Sequence, residues 1–263
     1  MTPLAGVLGF PVAHSRSPQM MNAAFEALGL DWRYVKLPVR PELFEDTARA
    51  LPGSGYRGAN VTIPHKVAAL KLADEHGEEA RAIGAANTLT FADGSIRADN
   101  TDAGGLLDAM GVDPAGRSAL VLGAGGAARA AVWALRGAGA AVSVWNRNAD
   151  RAKRLADDFG VEPASRPRSV DVLVNATSVG LAGESEQDMV DALHLEGVEA
   201  PKVVDLVYGE GEPAVSAWAL RRGFAVVPGT EVLVRQGARS LELWTGKKPP
   251  LDAMRRGACG EGV

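Results

Sequence analysis

The stretch ALVLGAGGAARAAVWAL, residues 119 to 135, begins as an apolar strand, breaks at Gly123, passes Gly125 and Gly126, and continues as an Ala-rich helix. This is the pattern of a nucleotide-phosphate turn. Gly123 permits the tight turn after the strand, Gly125 lets backbone approach a pyrophosphate, and Ala128 takes the third small position, where helix packs on strand. Residues Gly123, Ala124, Gly125, Gly126 and Ala127 are therefore the candidate cradle, with the N–H groups and partial positive charge of a helix N-terminus facing the phosphates. In a chain with 31 glycines the turn alone is weak, but the next strand strengthens it. AVSVW (141–145) ends in Asn146 and Arg147, at the place about 20 residues past the glycines where an NAD-binding chain carries Asp or Glu for the ribose hydroxyls. Arg147, with Arg151 one turn along the following helix, suits a 2′-phosphate, so the expected cofactor is NADP(H).

At 263 residues and 46% hydrophobic content the chain can bury one large or two modest cores. A net charge of -4 and no basic run longer than two residues give no pull toward nucleic acid or an anionic membrane. The N-terminus MTPLAGVLGF lacks a cationic start, and no apolar stretch approaches the roughly 20 residues that span a bilayer, so a cytoplasmic chain is expected. The single Cys259 excludes an internal disulfide and a Cys-based metal site. The four histidines form no ligand spacing, and no metal is expected. Oligomeric state is open, a homodimer included.

Around the turn, the second half alternates strands near 118–122, 141–145, 170–174, 203–207 and 224–227 with helices starting near 126, 149 and 212. That is the pattern of a doubly wound parallel sheet. The first hundred residues also alternate. Strand 5–9 leads to a helix opened by Ser17-Pro18 and closed by Gly29, then come strand 32–39, a helix from Glu42, strand 58–63 and a helix from about His65. Segments 87–91 and 95–98 read as a hairpin through Ala92-Asp93-Gly94, and Asn100-Thr101-Asp102 starts the next helix. A last helix, about 230 to 245, is expected to pack back on the first domain, whereas 183–200 and the tail after Lys247 read as loosely structured. The expected architecture is two α/β domains around a cleft: residues 1–101 plus 238–263 for substrate, and 102–237 as a Rossmann-type NADP-binding domain.

Polar clusters recur at strand-to-helix junctions of the first half: HSRSP (14–18), NVTIPHK (60–66), AANTL (85–89) and NTDAGG (100–105). Lys66 falls in a first helical turn behind Pro64, where the dipole disfavours a cation and suits the amine to proton exchange; the ordinary alternative is a solvated lysine. Asp102 reads equally well as a functional carboxylate and as an ordinary first-turn one. Ser17 before Pro18 reads as a helix cap, and a helix N-terminus bearing the two hydroxyls of Ser15 and Ser17 also suits a carboxylate ligand.

Together with GAGGAA (123–128), NRN (146–148), NATSVG (175–180), DLVY (205–208), PGTEVLVRQ (228–236) and LELWTG (241–246), these strings resemble the shikimate dehydrogenase family nearly end to end. The resemblance implies reversible NADP-dependent reduction of 3-dehydroshikimate to shikimate, in chorismate and aromatic amino-acid biosynthesis. It implies that Lys66 and Asp102 are catalytic and that Ser15 and Ser17 bind the substrate carboxylate. Asn60, Thr62, Asn87, Tyr208 and Gln236 would meet the rest of the substrate. Asn146, Arg147, Asn148, Arg151 and Thr177 would join the glycine turn in holding the cofactor, with Leu206 and Gly229 near the nicotinamide half. NRN replaces the more familiar Asn-Arg-Thr, leaving Asn148 in place of the Thr hydroxyl. Leu181 and Val232 stand where the family often has Met, and Gly209-Glu210-Gly211-Glu212 replaces the usual Asn-Pro after Tyr208. Three alternatives stay open: a quinate/shikimate dehydrogenase of broader specificity, another two-domain NADP enzyme such as a methylenetetrahydrofolate dehydrogenase, and a non-catalytic NADP-binding sensor. The hydroxyl- and amide-rich clusters favour a polyol acid over a pterin, and a sensor would not need Lys66 and Asp102 together.

Overall fold

The computed structural model describes residues 2–179, 185–209 and 211–260. Its contacts divide the chain into two compact units, Met1–Gly105 with Leu233–Val263, and Leu106–Val232. The first unit begins β1 (Leu4–Gly9), α1 (Ser17–Ala27), β2 (Arg33–Pro38), α2 (Phe44–Ala50), β3 (Tyr56–Val61) and α3 (Lys66–Leu72). It continues β4 (Glu75–His76), α4 (Glu78–Ile83), β5 (Thr88–Ala92) and β6 (Ser95–Asp99), and α5 (Asp102–Met110) leads out of it. The second unit holds β7 (Ser118–Leu122), α6 (Gly126–Gly137), β8 (Ala141–Trp145), α7 (Ala149–Phe159), β9 (Glu162–Pro163), β10 (Val172–Asn175), α8 (Glu186–Leu193), β11 (Lys202–Asp205), α9 (Ala214–Arg221) and β12 (Ala225–Val227). Helix α10 (Gly229–Thr245) returns the chain to the first unit, which α11 (Leu251–Cys259) completes. The unit divisions fall inside α5 and α10, whereas the sequence reading sets them at 101/102 and 237/238.

The first sheet has the order β2-β1-β3-β5-β6-β4; β1 is parallel to both neighbours, and β5 is antiparallel to both β3 and β6. The β5–β6 hairpin turns through Asp93 (φ 50°) and Gly94 (φ 78°), two left-handed residues whose twist matches that of the strands. Leu8, Phe44, Ala59, Leu72 and Leu89 pack in one buried cluster of this unit.

The second sheet is wholly parallel, in the order β12-β11-β10-β7-β8-β9. Val121, Leu122, Leu173, Val174, Val203 and Val204 are all buried, as strands covered on both faces require. The chain runs outward from β7 to β9 and then returns to pair β10 with β7, so the winding reverses between those two strands. In such sheets ligands bind at the carboxyl ends flanking the reversal. Here those ends are Leu122 and Asn175, which are register partners.

Several expectations need correction. Within 183–200, α8 forms because Ser185 accepts from the Asp188 N–H at 3.2 Å and Met189, Val190 and Leu193 bury one face. The tail forms α11, seated on α1 by Met254 and Ala258, with Arg16 Nη1 donating to the Ala258 carbonyl at 2.9 Å. A 3-10 turn over Pro41–Leu43 precedes α2, so the α-helix starts at Phe44 and not at Glu42. Strand β11 ends at Asp205, which places Leu206 and Tyr208 in the segment beyond it. Short β4 and α4 have no counterpart in the sequence reading; too few residues carry their period. Leu181 and Glu210 lie outside the described residues.

A Cβ at Gly257 of α11 would stand 2.7 Å from the Gln19 carbonyl oxygen and 2.9 Å from Met20 Cα, both backbone atoms of α1. Gly257→Ala is therefore expected to cost about 1–3 kcal/mol in denaturant unfolding, because helix backbone must move to admit a methyl group. Gly53→Ala meets open space and is the control, expected to fall within about 0.5 kcal/mol of the parent.

Candidate active site

Lys66 is the first residue of α3, and Asp102 is the first of α5. Their side chains meet with Nζ 2.5 Å from Oδ2, at 13% and 18% exposure. Local structure holds both ends. His65, just ahead of α3, is buried, stacks on Phe44 at 4.4 Å between ring centroids, and places Nε2 2.7 Å from the Val39 carbonyl. The Lys66 carbonyl accepts from Ala86 N–H at 2.9 Å. At α5 the capping falls to Asn100, whose Oδ1 accepts from the N–H groups of Asp102 (3.0 Å) and Ala103 (3.3 Å). The Asp102 carboxylate, in the first turn of α5, is thereby left free of the cap and meets Lys66.

Behind the pair lies a buried polar network centred on Asn87. Its Nδ2 is 2.9 Å from Asp102 Oδ1, 2.9 Å from Thr101 Oγ1 and 3.1 Å from Gln236 Oε1, while its Oδ1 accepts from Thr101 N–H at 2.7 Å. Two amide hydrogens face three acceptors, so one acceptor takes its donor elsewhere, and Thr101 Oγ1 has the hydroxyls of Thr88 (3.3 Å) and Ser240 (3.1 Å) beside it. Gln236 reaches this place because α5 and α10 touch at Gly105, where a Cβ would lie 2.6 Å from Gln236 N. That contact explains Gly105 of NTDAGG, while at Gly104 a Cβ would stand 2.4 Å from Cζ of the Arg239 side chain.

The network also absorbs Asn60. Its Oδ1 accepts from Tyr34 Oη at 2.8 Å, and its Nδ2 lies 2.9 Å from Ser240 Oγ, 3.2 Å from Thr88 Oγ1 and 3.2 Å from the Asn87 carbonyl. Both amide hydrogens are used internally, so Asn60 braces β3, β5 and α10 in place of offering a donor outward. Thr62 follows β3, donates its N–H to the Leu8 carbonyl at 2.9 Å, and has its methyl against Gly9.

The cap reading of Ser17 is overturned. Ser17 is already helical, Arg16 is the residue before the helix, and no side chain caps it. Instead Ser17 N–H donates to Ser15 Oγ at 3.3 Å, and the two hydroxyls lie 3.2 Å apart, both buried. The two hydroxyls stand side by side, and the stabilising turn belongs to Ser15.

In the second unit, Gly123 has φ +113°, and a Cβ there would stand 2.7 Å from the Ala176 carbonyl oxygen, so both conformation and packing demand glycine. Ala128 is fully buried where α6 meets the sheet. Gly125 differs: its φ is -93° and a Cβ would meet open space. No fold requirement selects glycine there, which fits a requirement set by an approaching ligand. Ala124, Gly126 and Ala127 line the same half-buried turn, and no side chain caps α6, so its N-terminus suits a pyrophosphate. Past β8, Arg147 and Arg151 are exposed, and Asn146 Nδ2 donates to the Asn148 carbonyl at 3.0 Å. Asn148 caps α7 by accepting from Arg151 N–H at 3.1 Å, which engages the oxygen that would stand in for the Thr hydroxyl.

Thr177 donates Oγ1–H to Asn175 Oδ1 at 2.7 Å, and Gly229 is buried against the backbone of residues 205–207. Leu206 and Tyr208 are half-buried. The sequence reading passed over Asp205, which is fully buried between these segments. Burial pushes its carboxyl up, and hydrogen bonds from Asn175, Val207 and Ser216 pull part of that back. An Asp ending the apolar run VVD was the available signal.

A parallel doubly wound sheet with this glycine turn at its reversal defines a dinucleotide-binding α/β fold. Three family models match: the shikimate dehydrogenase substrate binding domain over residues 7–89, shikimate / quinate 5-dehydrogenase over 108–206, and the shikimate 5'-dehydrogenase C-terminal domain over 229–256. Shikimate dehydrogenase (NADP(+)) of Rubrobacter xylanophilus is 44% identical over 278 residues, covering 99% of this chain and 97% of that one. The Methanocella arvoryzae enzyme of the same name is 42% identical, covering 98% of each. The crystal structure of Thermus thermophilus shikimate 5-dehydrogenase in complex with NADP(H) and shikimate superposes with a TM-score of 0.89, at 39% identity and full coverage of both chains. The chain belongs to the shikimate dehydrogenase family.

Burial lowers the His65 pKa from 6.5, outweighing the bond to Val39. With the folded value depressed, the unfolded chain takes up the proton first, so this stability is intact above about pH 6.5 and is lost as pH falls toward the folded value. The parent is expected to lose stability through this one group as pH falls below 6.5. His65→Gln should show a shallower slope of stability against pH in that window, measured by denaturant unfolding. Equal slopes would remove His65 from the linkage.

Proposed function

We propose that this chain is an NADP-dependent shikimate dehydrogenase that reversibly reduces 3-dehydroshikimate to shikimate in the cytoplasm. The observation that carries the reading is the Lys66–Asp102 pair, joined through Asn87 to Gln236, in a chain of this family. Lys66 Nζ carries the proton that the ring oxygen gains on reduction and gives up on oxidation. Asp102 Oδ2 holds that amine in place, while Asn87 orients the same carboxylate through Oδ1. Gln236 Oε1 and Asp102 Oδ1 compete for the Asn87 amide, so a neighbouring ring hydroxyl that donates to either completes the set. Ser15 and Ser17 present their hydroxyls to the carboxylate of the substrate.

The residues of the second unit fit NADP(H): the α6 N-terminus and Gly123–Ala127 for the pyrophosphate, Arg147 and Arg151 for the 2′-phosphate, and Thr177, Leu206 and Gly229 toward the nicotinamide half. The bound nicotinamide supplies or accepts the hydride. Cytoplasmic placement fits the single Cys259, which is exposed and unpaired, in a reducing compartment. Among the described residues no helix is long and apolar enough to cross a membrane. The direct test is NADP+-dependent oxidation of shikimate followed by NADPH absorbance, with quinate as the second substrate. Cofactor binding without turnover of either would make the chain a binding protein.

Two variants separate the roles. General acid–base help is worth roughly 100- to 10,000-fold, so Lys66→Ala should lower kcat by that order with a small change in the shikimate KM. Lys66→Arg should not restore it, because guanidinium keeps the charge but releases no proton near neutrality. A near-normal Lys66→Arg enzyme with chemistry rate-limiting would leave Lys66 as a fixed charge.

Arg147→Asp is expected to lower kcat/KM for NADP by about 10- to 100-fold and to change that for NAD far less, through loss of a charge-assisted phosphate contact. Unchanged NADP kinetics would transfer the phosphate role to Arg151.

A further inference from the structure

Asp205 closes β11 with no exposed surface, and the chemistry above gives it no part. Its oxygens take four donors. Oδ1 accepts from Asn175 Nδ2 at 2.9 Å and Val207 N–H at 3.1 Å; Oδ2 accepts from Ser216 N–H at 3.1 Å and Ser216 Oγ at 2.9 Å. All four are neutral groups. A carboxylate buried without a cation is costly, and where filling the core is the only demand an apolar side chain serves as well.

What the carboxylate joins is specific. Asn175 uses its other end, Oδ1, to accept from Thr177 N–H at 3.1 Å and Thr177 Oγ1 at 2.7 Å, and Thr177 Oγ1 in turn accepts from Val179 N–H at 3.1 Å. Leu206 N–H donates to the Asn175 carbonyl at 3.0 Å. Gly229 is seated on the same backbone, so closely that a Cβ would lie 2.5 Å from the Val207 carbonyl oxygen and 2.9 Å from that of Asp205. One side chain thus sets the ends of two neighbouring strands, the start of α9 and the approach to α10.

We infer that Asp205 is a positioning residue for the nicotinamide half of the cofactor, fixing the 175–179 and 205–208 segments against each other, while the phosphate turn at Gly123–Ala127, although it touches Ala176, has its own hold on β8 through Gly123 N–H and the Trp145 carbonyl at 2.8 Å. The inference rests on the proposed NADP(H) reading. Asparagine at this place keeps one acceptor and sets an amide donor against N–H groups at the other, either those of Asn175 and Val207 or that of Ser216, so the anchor shared by the 175–179 segment, the 205–208 segment and α9 is broken.

The test uses the full chain and compares NADP+ with 2′,5′-ADP, which lacks the nicotinamide half. In Asp205→Asn, kcat with shikimate is expected to fall about 10- to 100-fold and NADP+ affinity about 3- to 10-fold, while calorimetric 2′,5′-ADP affinity stays within about twofold. Ser216→Ala removes one donor and keeps the backbone N–H; it should move the same quantities less, and it carries the test if Asp205→Asn does not fold. Unchanged kcat in the folded variants, or 2′,5′-ADP affinity falling in step with NADP+, would overturn the inference, since general loosening strikes both ligands alike. A parent chain that binds NADP+ without oxidising shikimate would overturn the proposed function instead. The ratio of the two affinities in the variants would still decide the role of Asp205.

Discussion

A side-chain amide has two hydrogens, and the first unit is organised around where Asn87 sends them. Asp102, Thr101 and Gln236 all stand within reach of that one nitrogen, and the Asn87 oxygen is occupied by Thr101 N–H. Because the network is buried, an acceptor without a donor costs more than a surface one would. Asn60, Thr88 and Ser240 carry the same network to β3 and α10, so loosening any of these elements shifts the carboxylate that faces Lys66.

The parts of the molecule legible in the sequence are those whose cause is local. Gly123 could be read because a left-handed turn between an apolar strand and a small-residue helix admits little else, and the structure adds a backbone contact that demands glycine a second time. Asp93-Gly94 could be read as a hairpin for the same reason. The pairing of Lys66 with Asp102 is of another kind. The residues are 36 apart, and nothing within either segment points to the other, so only the family resemblance brought them together. Helices α8 and α11 escaped because their buried faces, Met189-Val190-Leu193 and Met254-Ala258, are narrow stripes in polar surroundings. Ser17 shows how fine the margin is. A one-residue shift of the helix start hands the turn to Ser15 and leaves the motif string unchanged.

Two aspartates mark the division of labour between holding and reacting. Asp102 keeps partial exposure and meets a cation and an amide, so its partners can be exchanged for substrate groups without stranding a buried charge. Asp205 is sealed, and its donors are fixed by backbone or by other hydrogen bonds, so releasing any of them leaves charge uncompensated in the interior. The first arrangement suits a group that must accommodate a changing ligand. The second suits one whose geometry must not change while that happens. Neither chemistry nor fold type separates the two residues; the difference lies in whether the donors around each carboxylate are free to leave.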